Sequence, residues 1–184
     1  MNVTPLAIPD VKLVTPTVRP DSRGFFLERW NEGAFAEAGL PLRFVQDNHS
    51  RSVRGVLRGL HFQEGRHAQG KLVGVARGRI LDVAVDLRRG SATFGGWVSS
   101  VLDDVELHQL WVPAGFAHGF LVLSEVADVL YKTDNSYTPT ADAGLRWDDP
   151  TVGVDWGIVD PILSARDAQL PSLADLKALP EGRP

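Results

Sequence analysis

The chain is patterned mainly as short strands, with apolar residues at every second position and glycine or proline between the runs. The clearest run covers residues 80–87. Its two faces differ in character: Leu81, Val83, Val85 and Leu87 form the apolar face, and Asp82, Ala84 and Asp86 form the other. Similar runs predict further strands at 11–17, 25–30, 43–50, 55–62, 71–76, 96–102, 109–112, 119–124 and 127–133.

Helix signals are few. Residues 31–39 predict two turns ending at Gly39, and the capping-box spacing of Ser172 and Asp175 predicts a short helix that stops before Pro180. About ten strands without long helices indicate an all-β antiparallel sandwich or barrel. Neither a repeat nor a domain seam is visible, so residues 1–184 are expected to form a single domain.

The amino-acid composition argues against several kinds of site and partner. The sequence has no cysteine, which excludes disulfides and thiolate metal sites. A net charge of -4 argues against a nucleic-acid partner. No apolar stretch is long enough to span a bilayer and the first ten residues lack a secretion-signal pattern, so we expect a cytoplasmic protein without a membrane partner.

Charge is nevertheless unevenly distributed. Residues 51–79 hold seven Lys and Arg residues against one acid, Glu64. Within this segment Arg58, His61 and Lys71 lie in runs that otherwise predict buried strand. Buried cations are costly unless an anion occupies the space between them, which indicates a cavity for a small anionic ligand with a base inside it.

Strict alternation would place Arg58 and His61 on opposite faces, because they are three residues apart. Gly59 lies between them, and glycine inside a strand often marks a bulge that redirects its neighbours. A bulge there would turn both side chains inward. His118, which follows the turn formed by Pro113 and Gly115, is a second polar side chain at the start of an apolar strand.

These two segments resemble the two motifs of the cupin superfamily. Metal-binding cupins carry His, His, Glu and His at the positions held here by His61, Gln63, Lys71 and His118. A protonated lysine repels a divalent ion and cannot coordinate it, so we expect no metal.

Within the cupin superfamily, the chain resembles one family in particular, and this resemblance extends over nearly the whole chain. The chain resembles the dTDP-4-dehydrorhamnose 3,5-epimerases in motifs at 21–28, 46–50, 55–63, 69–73, 91–95, 113–120, 131–132, 147–150 and 163–167. The resemblance implies a cupin jelly roll, a homodimer whose N-terminal strands exchange or pack across, and cofactor-free epimerisation of dTDP-4-dehydro-6-deoxy-D-glucose at carbons 3 and 5. The product would be dTDP-4-dehydro-L-rhamnose.

The resemblance also implies roles for individual residues. His61 matches the base, Asp167 its partner, Tyr131 the acid and Lys71 the residue beside the keto group. The implied contacts to the dTDP-sugar substrate are Arg23, Glu28, Gln46, Asp47, Asn48, Arg58, His118, Asp142 and Arg166. Phe26 is two residues from Glu28 and shares its strand face, so its ring is expected to stack on the thymine. Three positions depart from the family pattern: Gly65-Arg66 replaces a Pro-Pro pair, Asp142 replaces Glu and Arg166 replaces Lys.

The proposed chemistry also follows from the residue types. An imidazole, whose ordinary pKa is about 6.5, suits proton abstraction next to a ketone, and an ammonium stabilises the enolate that forms. A carboxylate on the imidazole selects its tautomer, and a phenol can return a proton from the opposite face.

Three alternatives stay open from the sequence: a mono-epimerase acting at carbon 3 or carbon 5, a metal-dependent cupin oxygenase, and a non-catalytic sugar-nucleotide-binding cupin.

Overall fold

The computed structural model describes residues 1–40 and 43–181. Two antiparallel sheets face each other. The first contains β1 (Asn2–Pro5), β2 (Lys12–Thr15), β5 (Gln46–Val53), β7 (Lys71–Arg77), β10 (Gln109–Val112) and β12 (Val126–Thr133), in the order β1-β2-β10-β7-β12-β5. The second contains β6 (Leu57–Gln63), β8 (Arg79–Asp86), β9 (Trp97–Asp103), β11 (Phe116–Val122) and β13 (Asp142–Gly144), in the order β13-β6-β11-β8-β9.

Smaller elements complete the described chain. Strands β3 (Arg19–Asp21) and β4 (Gly24–Phe26) form a separate two-stranded hairpin. Helix α1 (Glu32–Glu37) begins after Asn31, whose side chain accepts a hydrogen bond from the Ala34 N–H at 3.1 Å. Short 3₁₀ turns lie at Pro139–Ala141, Asp167–Gln169 and Leu173–Asp175. The predicted helix at Ser172 is therefore only one turn long, and it is 3₁₀ rather than α.

The predicted strands are largely confirmed, with bounds shifted by a few residues. The main exception is the predicted strand at 25–30, which pairs only as far as Phe26, in the hairpin. Strands β1, β3 and β13 were not predicted, because they are only three or four residues long and so carry little alternation.

The two faces of strand β8 contribute to two different hydrophobic clusters. Its apolar face packs outward in a cluster with Trp156 and other residues of the C-terminal segment, and its other face, including Ile80 and Ala84, packs between the two sheets. Both faces are buried, so the acidic side chains predicted opposite the apolar face point into the protein interior. Asp82 and Asp86 each have 0 % exposure. Buried carboxylates require hydrogen-bond partners, and both have them.

The bulge predicted at Gly59 is confirmed, but the expectation that it turns both neighbouring side chains inward was wrong for Arg58, which stays exposed. In the pairing of β6 with β11, His61 lies opposite His118 and Arg58 lies opposite Phe120, so three steps on β6 match two on β11. Gly59 has a φ of 143°, and a Cβ there would lie 2.6 Å from the Cα of Gly119. Glycine is thus required at position 59 both for its backbone conformation and for its close approach to β11.

Candidate active site

A cavity of about 190 Å³ lies between the two sheets and opens at one end. His61 enters it from β6 in the second sheet, while Lys71 and Tyr131 enter from β7 and β12 in the first. The imidazole and the phenol therefore come from facing walls of one space. This is the arrangement expected if the two groups act on opposite sides of a bound ring.

His61 is held by a carboxylate. Its Nε2 lies 2.7 Å from Oδ1 of Asp167, whose side chain is only 4 % exposed. Burial alone would raise the pKa of Asp167, but hydrogen bonds from His61, the Gly59 N–H and Ser164 lower it overall. An ionised carboxylate can only accept, so His61 Nε2 carries the hydrogen and Nδ1 keeps the lone pair.

Lys71 is the buried cation of the cavity. Its Nζ lies 3.4 Å from the backbone oxygen of His61. Burial lowers the pKa of Lys71 to about 8, while Asp82 and Asp142 act to raise it and Arg166 acts to lower it. The lysine therefore changes its charge within about one pH unit of neutrality.

Tyr131 is partly buried, and this burial raises the pKa of its hydroxyl, partly offset by the positive charge of Arg58. The tyrosine thus stays protonated at neutral pH and can act as a donor. Beside it on the neighbouring strand, Asn48 donates from Nδ2 to the Tyr131 backbone oxygen at 3.4 Å.

Several predicted substrate contacts lie at the same cavity. Gln46, Asp142 and Arg166 line it. Asp142 and Arg166 form an ion pair at 2.8 Å, and Asn48 accepts from Gln46 Nε2 at 2.8 Å. The aspartate and the arginine that depart from the family pattern, Asp142 and Arg166, therefore pair with each other.

Arg58 and His118 lie next to this cavity without lining it. Arg58 borders an adjoining pocket shared with His61 and Asp167, and its Nε donates to Ser52 Oγ at 3.0 Å. His118 is buried beside His61, with its Nε2 2.8 Å from Asp82 Oδ1. Burial lowers the pKa of His118, although the charge of Asp82 opposes the shift.

The structure does not bring the other predicted contacts to the cavity. Asp47 alternates with Gln46 on β5 and forms an exposed ion pair with Lys132 at 2.6 Å. Arg23 lies at the tip of the hairpin, paired with Asp21. Phe26 and Glu28 line a different pocket, together with residues of the N-terminus and α1.

Tyr137 is a cavity residue that sequence reasoning missed. It lines the cavity, is 50 % exposed and hydrogen-bonds Asp142, and its backbone N–H donates to Gln46 Oε1 at 3.0 Å. Strand alternation ends at Thr133, so periodicity gave no signal for it. The available clue was composition, because the sequence has only two tyrosines and both line this cavity.

The cupin ligand positions do not fit a metal ion. Lys71 holds one of them, and Gln63 is engaged at both side-chain atoms: Nε2 donates to the Thr138 oxygen at 3.1 Å and Oε1 accepts from the Thr138 N–H at 2.9 Å. Over residues 1–40 and 43–181, no three His, Asp or Glu side chains are grouped as a metal site. In the same ranges, no helix combines the length and apolar character needed to cross a bilayer.

The comparisons with known proteins agree on one family. The family model described as dTDP-4-dehydrorhamnose 3,5-epimerase matches residues 5–175. A Pseudomonas aeruginosa dTDP-4-dehydrorhamnose 3,5-epimerase is 55 % identical over 98 % of this chain and 100 % of its own length. A Streptomyces niveus dTDP-4-dehydrorhamnose 3-epimerase is 42 % identical over 96 % of this chain and 86 % of its own.

A solved structure agrees with the sequence comparison. The dTDP-6-deoxy-D-glucose-3,5-epimerase of Legionella pneumophila, in complex with dTDP-4-keto-L-rhamnose, matches with a TM-score of 0.93 and 43 % identity. The match covers 100 % of this chain and 99 % of that one. The cupin jelly roll expected from the sequence is therefore confirmed, and the chain belongs to the dTDP-4-dehydrorhamnose 3,5-epimerase family.

Proposed function

We propose that this protein epimerises dTDP-4-dehydro-6-deoxy-D-glucose at carbons 3 and 5 and so forms dTDP-4-dehydro-L-rhamnose. The observation that carries the proposal is the placement of His61 and Tyr131 on facing walls of one cavity, with Lys71 between the sheets beside them. Inversion at a carbon next to a ketone needs a base on one face, an acid on the other and a positive charge near the ketone oxygen.

The reaction begins with proton abstraction. His61 Nδ1 takes the proton from the carbon next to the keto group, and the C–H electron pair moves to give an enolate. Asp167 stabilises the imidazolium that forms, because its ionised carboxylate accepts from Nε2. The buried Lys71 ammonium stabilises the enolate oxygen.

Tyr131 completes the inversion. Its hydroxyl gives a proton to the opposite face of the same carbon, which leaves a tyrosinate and an imidazolium. Exchange with water returns both groups to their starting states, and the same pair then serves the second carbon. A proton delivered from the face that lost it would regenerate the starting sugar, so inversion depends on the two groups lying on separate walls.

The nucleotide is proposed to lie at the open end of the cavity. Gln46, Tyr137, Asp142 and Arg166 supply polar groups and a ring there, and Arg58 supplies a guanidinium suited to forked hydrogen bonds with a diphosphate. The bound dTDP-4-keto-L-rhamnose in the Legionella relative is consistent with a ligand of this class.

We further propose a homodimer in which the hairpin of one copy reaches the cavity of the other. Phe25 and Phe26 are 58 % and 64 % exposed, an unusual position for two adjacent aromatic rings. The predicted contacts Arg23, Phe26 and Glu28 lie away from the cavity of their own chain, which suits a role across an interface. The single-domain organisation, the cytoplasmic location and the lack of nucleic-acid or membrane partners stay predictions of the sequence.

A mono-epimerase is the second candidate, favoured by the similarity to the Streptomyces niveus 3-epimerase. Incubation with dTDP-4-dehydro-6-deoxy-D-glucose in deuterium oxide separates the two. Deuterium in the product at both carbon 3 and carbon 5, with both centres inverted, supports the double epimerase. Label at a single carbon selects the mono-epimerase, and absence of label and of inversion refutes both.

A further inference from the structure

Asp82 is a buried carboxylate that the proposed reaction does not use. It has 0 % exposure and lies in the middle of β8. Its Oδ1 accepts from His118 Nε2 at 2.8 Å, whereas its Oδ2 has no hydrogen-bond partner among the residues that the structure describes. An ionised oxygen without a hydrogen bond is costly in the interior unless a positive charge is near it.

The strand register points Asp82 into the interior beside the catalytic cavity. It lies opposite Phe120 on β11, and His118 lies opposite both Ala84 on β8 and His61 on β6. Paired residues share a sheet face, and Phe120 and Ala84 belong to the cluster between the sheets. Asp82, His118 and His61 therefore all point into the interior that Lys71 enters from the opposite sheet.

Lys71 needs such a carboxylate. Its side chain is buried, and its Nζ reaches a neutral backbone oxygen, that of His61, at 3.4 Å. The charged and titratable groups around it come from several elements: Asp82 on β8, Asp142 on β13, His61 on β6, His118 on β11, Tyr131 on β12, and Arg166 and Asp167 in the C-terminal segment.

The other two carboxylates around Lys71, those of Asp142 and Asp167, each already have a partner of their own. Asp142 forms an ion pair with Arg166 at 2.8 Å, and Asp167 holds His61 at 2.7 Å. Among the groups acting on Lys71, the largest contribution that favours its charged form comes from Asp82. Among the described residues, one carboxylate oxygen of Asp82 therefore has no hydrogen bond, and the Lys71 ammonium has no ion-pair partner. Both groups lie in the same interior.

We propose that Asp82 is a positioning residue whose carboxylate, held in place by His118, is the counter-charge that keeps the Lys71 ammonium protonated and oriented in the cavity. The role of this charge in catalysis rests on the proposed function. Asp82 itself does not touch the reacting atoms. It acts through Lys71, and His118 acts through Asp82.

The first test is the pH profile of kcat/KM for Asp82→Asn. Asparagine keeps the shape and can still accept from His118, but it removes the negative charge. We expect the alkaline limb, where Lys71 loses its proton, to move to lower pH by on the order of one unit. A uniform loss of activity with the limb unmoved would show a merely structural role and overturn the proposal.

The chain offers a matched control in Asp128→Asn. Asp128 is also a buried carboxylate bonded to a histidine, with His49 Nε2 at 2.9 Å, but its partners His49 and Arg51 are exposed and lie outside the cavity. The alkaline limb of this variant should coincide with that of the unmodified protein. A shift equal to that of Asp82→Asn would mean that any lost buried carboxylate moves the limb, which also overturns the proposal.

A second test needs neither substrate nor activity. Lys71→Met leaves Asp82 as an uncompensated buried charge, so adding Asp82→Asn to it should raise the thermal unfolding midpoint above that of Lys71→Met alone. A double variant no more stable than Lys71→Met overturns the proposal, including the case in which neither folds. Because no substrate is involved, an unmodified protein inactive on dTDP-4-dehydro-6-deoxy-D-glucose would refute the proposed function alone.

Discussion

The imidazole of His61 and the carboxylate of Asp167 are 106 residues apart in the sequence and 2.7 Å apart in the fold. Asp167 reaches this position because it begins a 3₁₀ turn that packs against β6, and its own N–H donates to Ser164 Oγ at 3.0 Å. The C-terminal segment thus supplies the group that selects the tautomer of the proposed base. Variants of this pair test the proposed mechanism directly.

His61→Asn and Asp167→Asn should each lower kcat strongly while dTDP binding persists. Loss of the base is expected to cost about 10²- to 10⁴-fold in kcat, the usual range for general acid–base catalysis. Steady-state kinetics and calorimetric binding of dTDP measure the two effects separately. His49→Asn is the control, because His49 also bonds a carboxylate but is exposed outside the cavity, and its kcat should match that of the unmodified protein.

Tyr131→Phe should separate proton removal from proton return. The ring still fills its place, but the donor is gone, so we expect about 10²- to 10⁴-fold less inverted product. In deuterium oxide, His61 should still exchange the substrate proton, giving labelled but uninverted sugar by mass spectrometry and NMR. Tyr137→Phe removes the other cavity hydroxyl, which is proposed to contact the nucleotide, so it should raise KM while the ratio of inverted to labelled sugar stays unchanged. Equal loss of inversion in both variants would contradict the assignment of Tyr131.

The activity of the unmodified protein should fall as the pH rises through about 8, because Lys71 is charged below this pKa and neutral above it. The enolate then loses its stabilising charge. A profile of kcat/KM between pH 6 and pH 10, taken in steps of about half a unit, locates this alkaline limb, the pH range in which activity falls. Lys71→Met should be strongly impaired across the whole range, whereas Lys132→Met, on the neighbouring strand and paired with Asp47, should retain the limb.

Gly59→Ala should destabilise the fold by roughly 1–3 kcal/mol or more, since the backbone conformation disfavours a side chain and the new Cβ would meet the Gly119 backbone. Urea unfolding followed by circular dichroism measures the change. Gly33→Ala, in helix α1, is the control: its Cβ would meet only Asn31 Oδ1 at 3.6 Å, and its stability should be unchanged or slightly higher. Equal losses at both sites would contradict the bulge argument.

Phe25→Asp should shift the proposed homodimer toward monomer, because it places a charge in an apolar contact. Sedimentation or light scattering measures the mass, and we also expect lost activity if the hairpin completes the partner's site. Val159→Asp is the control, since Val159 is 94 % exposed and borders a pocket that includes no residue of the hairpin. A Phe25→Asp protein with unchanged mass and activity would refute this interface.

Much of the fold was determined by local pattern. Alternation located β8, β11 and β12 because a buried strand needs an apolar face, and Gly59 indicated the bulge because little else tolerates such backbone geometry. The family motifs identified His61, Lys71, Tyr131 and Asp167 as a set. The cupin resemblance also placed Lys71 at a metal-ligand position, where a protonated amine cannot coordinate a metal ion.

Other features were decided only by the tertiary structure, because they depend on which faces meet across sheets. The sequence could not show that Asp47 pairs with Lys132 away from the cavity that Gln46 lines, or that Tyr137 turns back onto Gln46. Nor could it show that the polar face of β8 is buried. The tertiary structure brings His118 on β11 against Asp82, and among the described residues its other oxygen has no hydrogen-bond partner, which is the basis of the proposed constraint on Lys71.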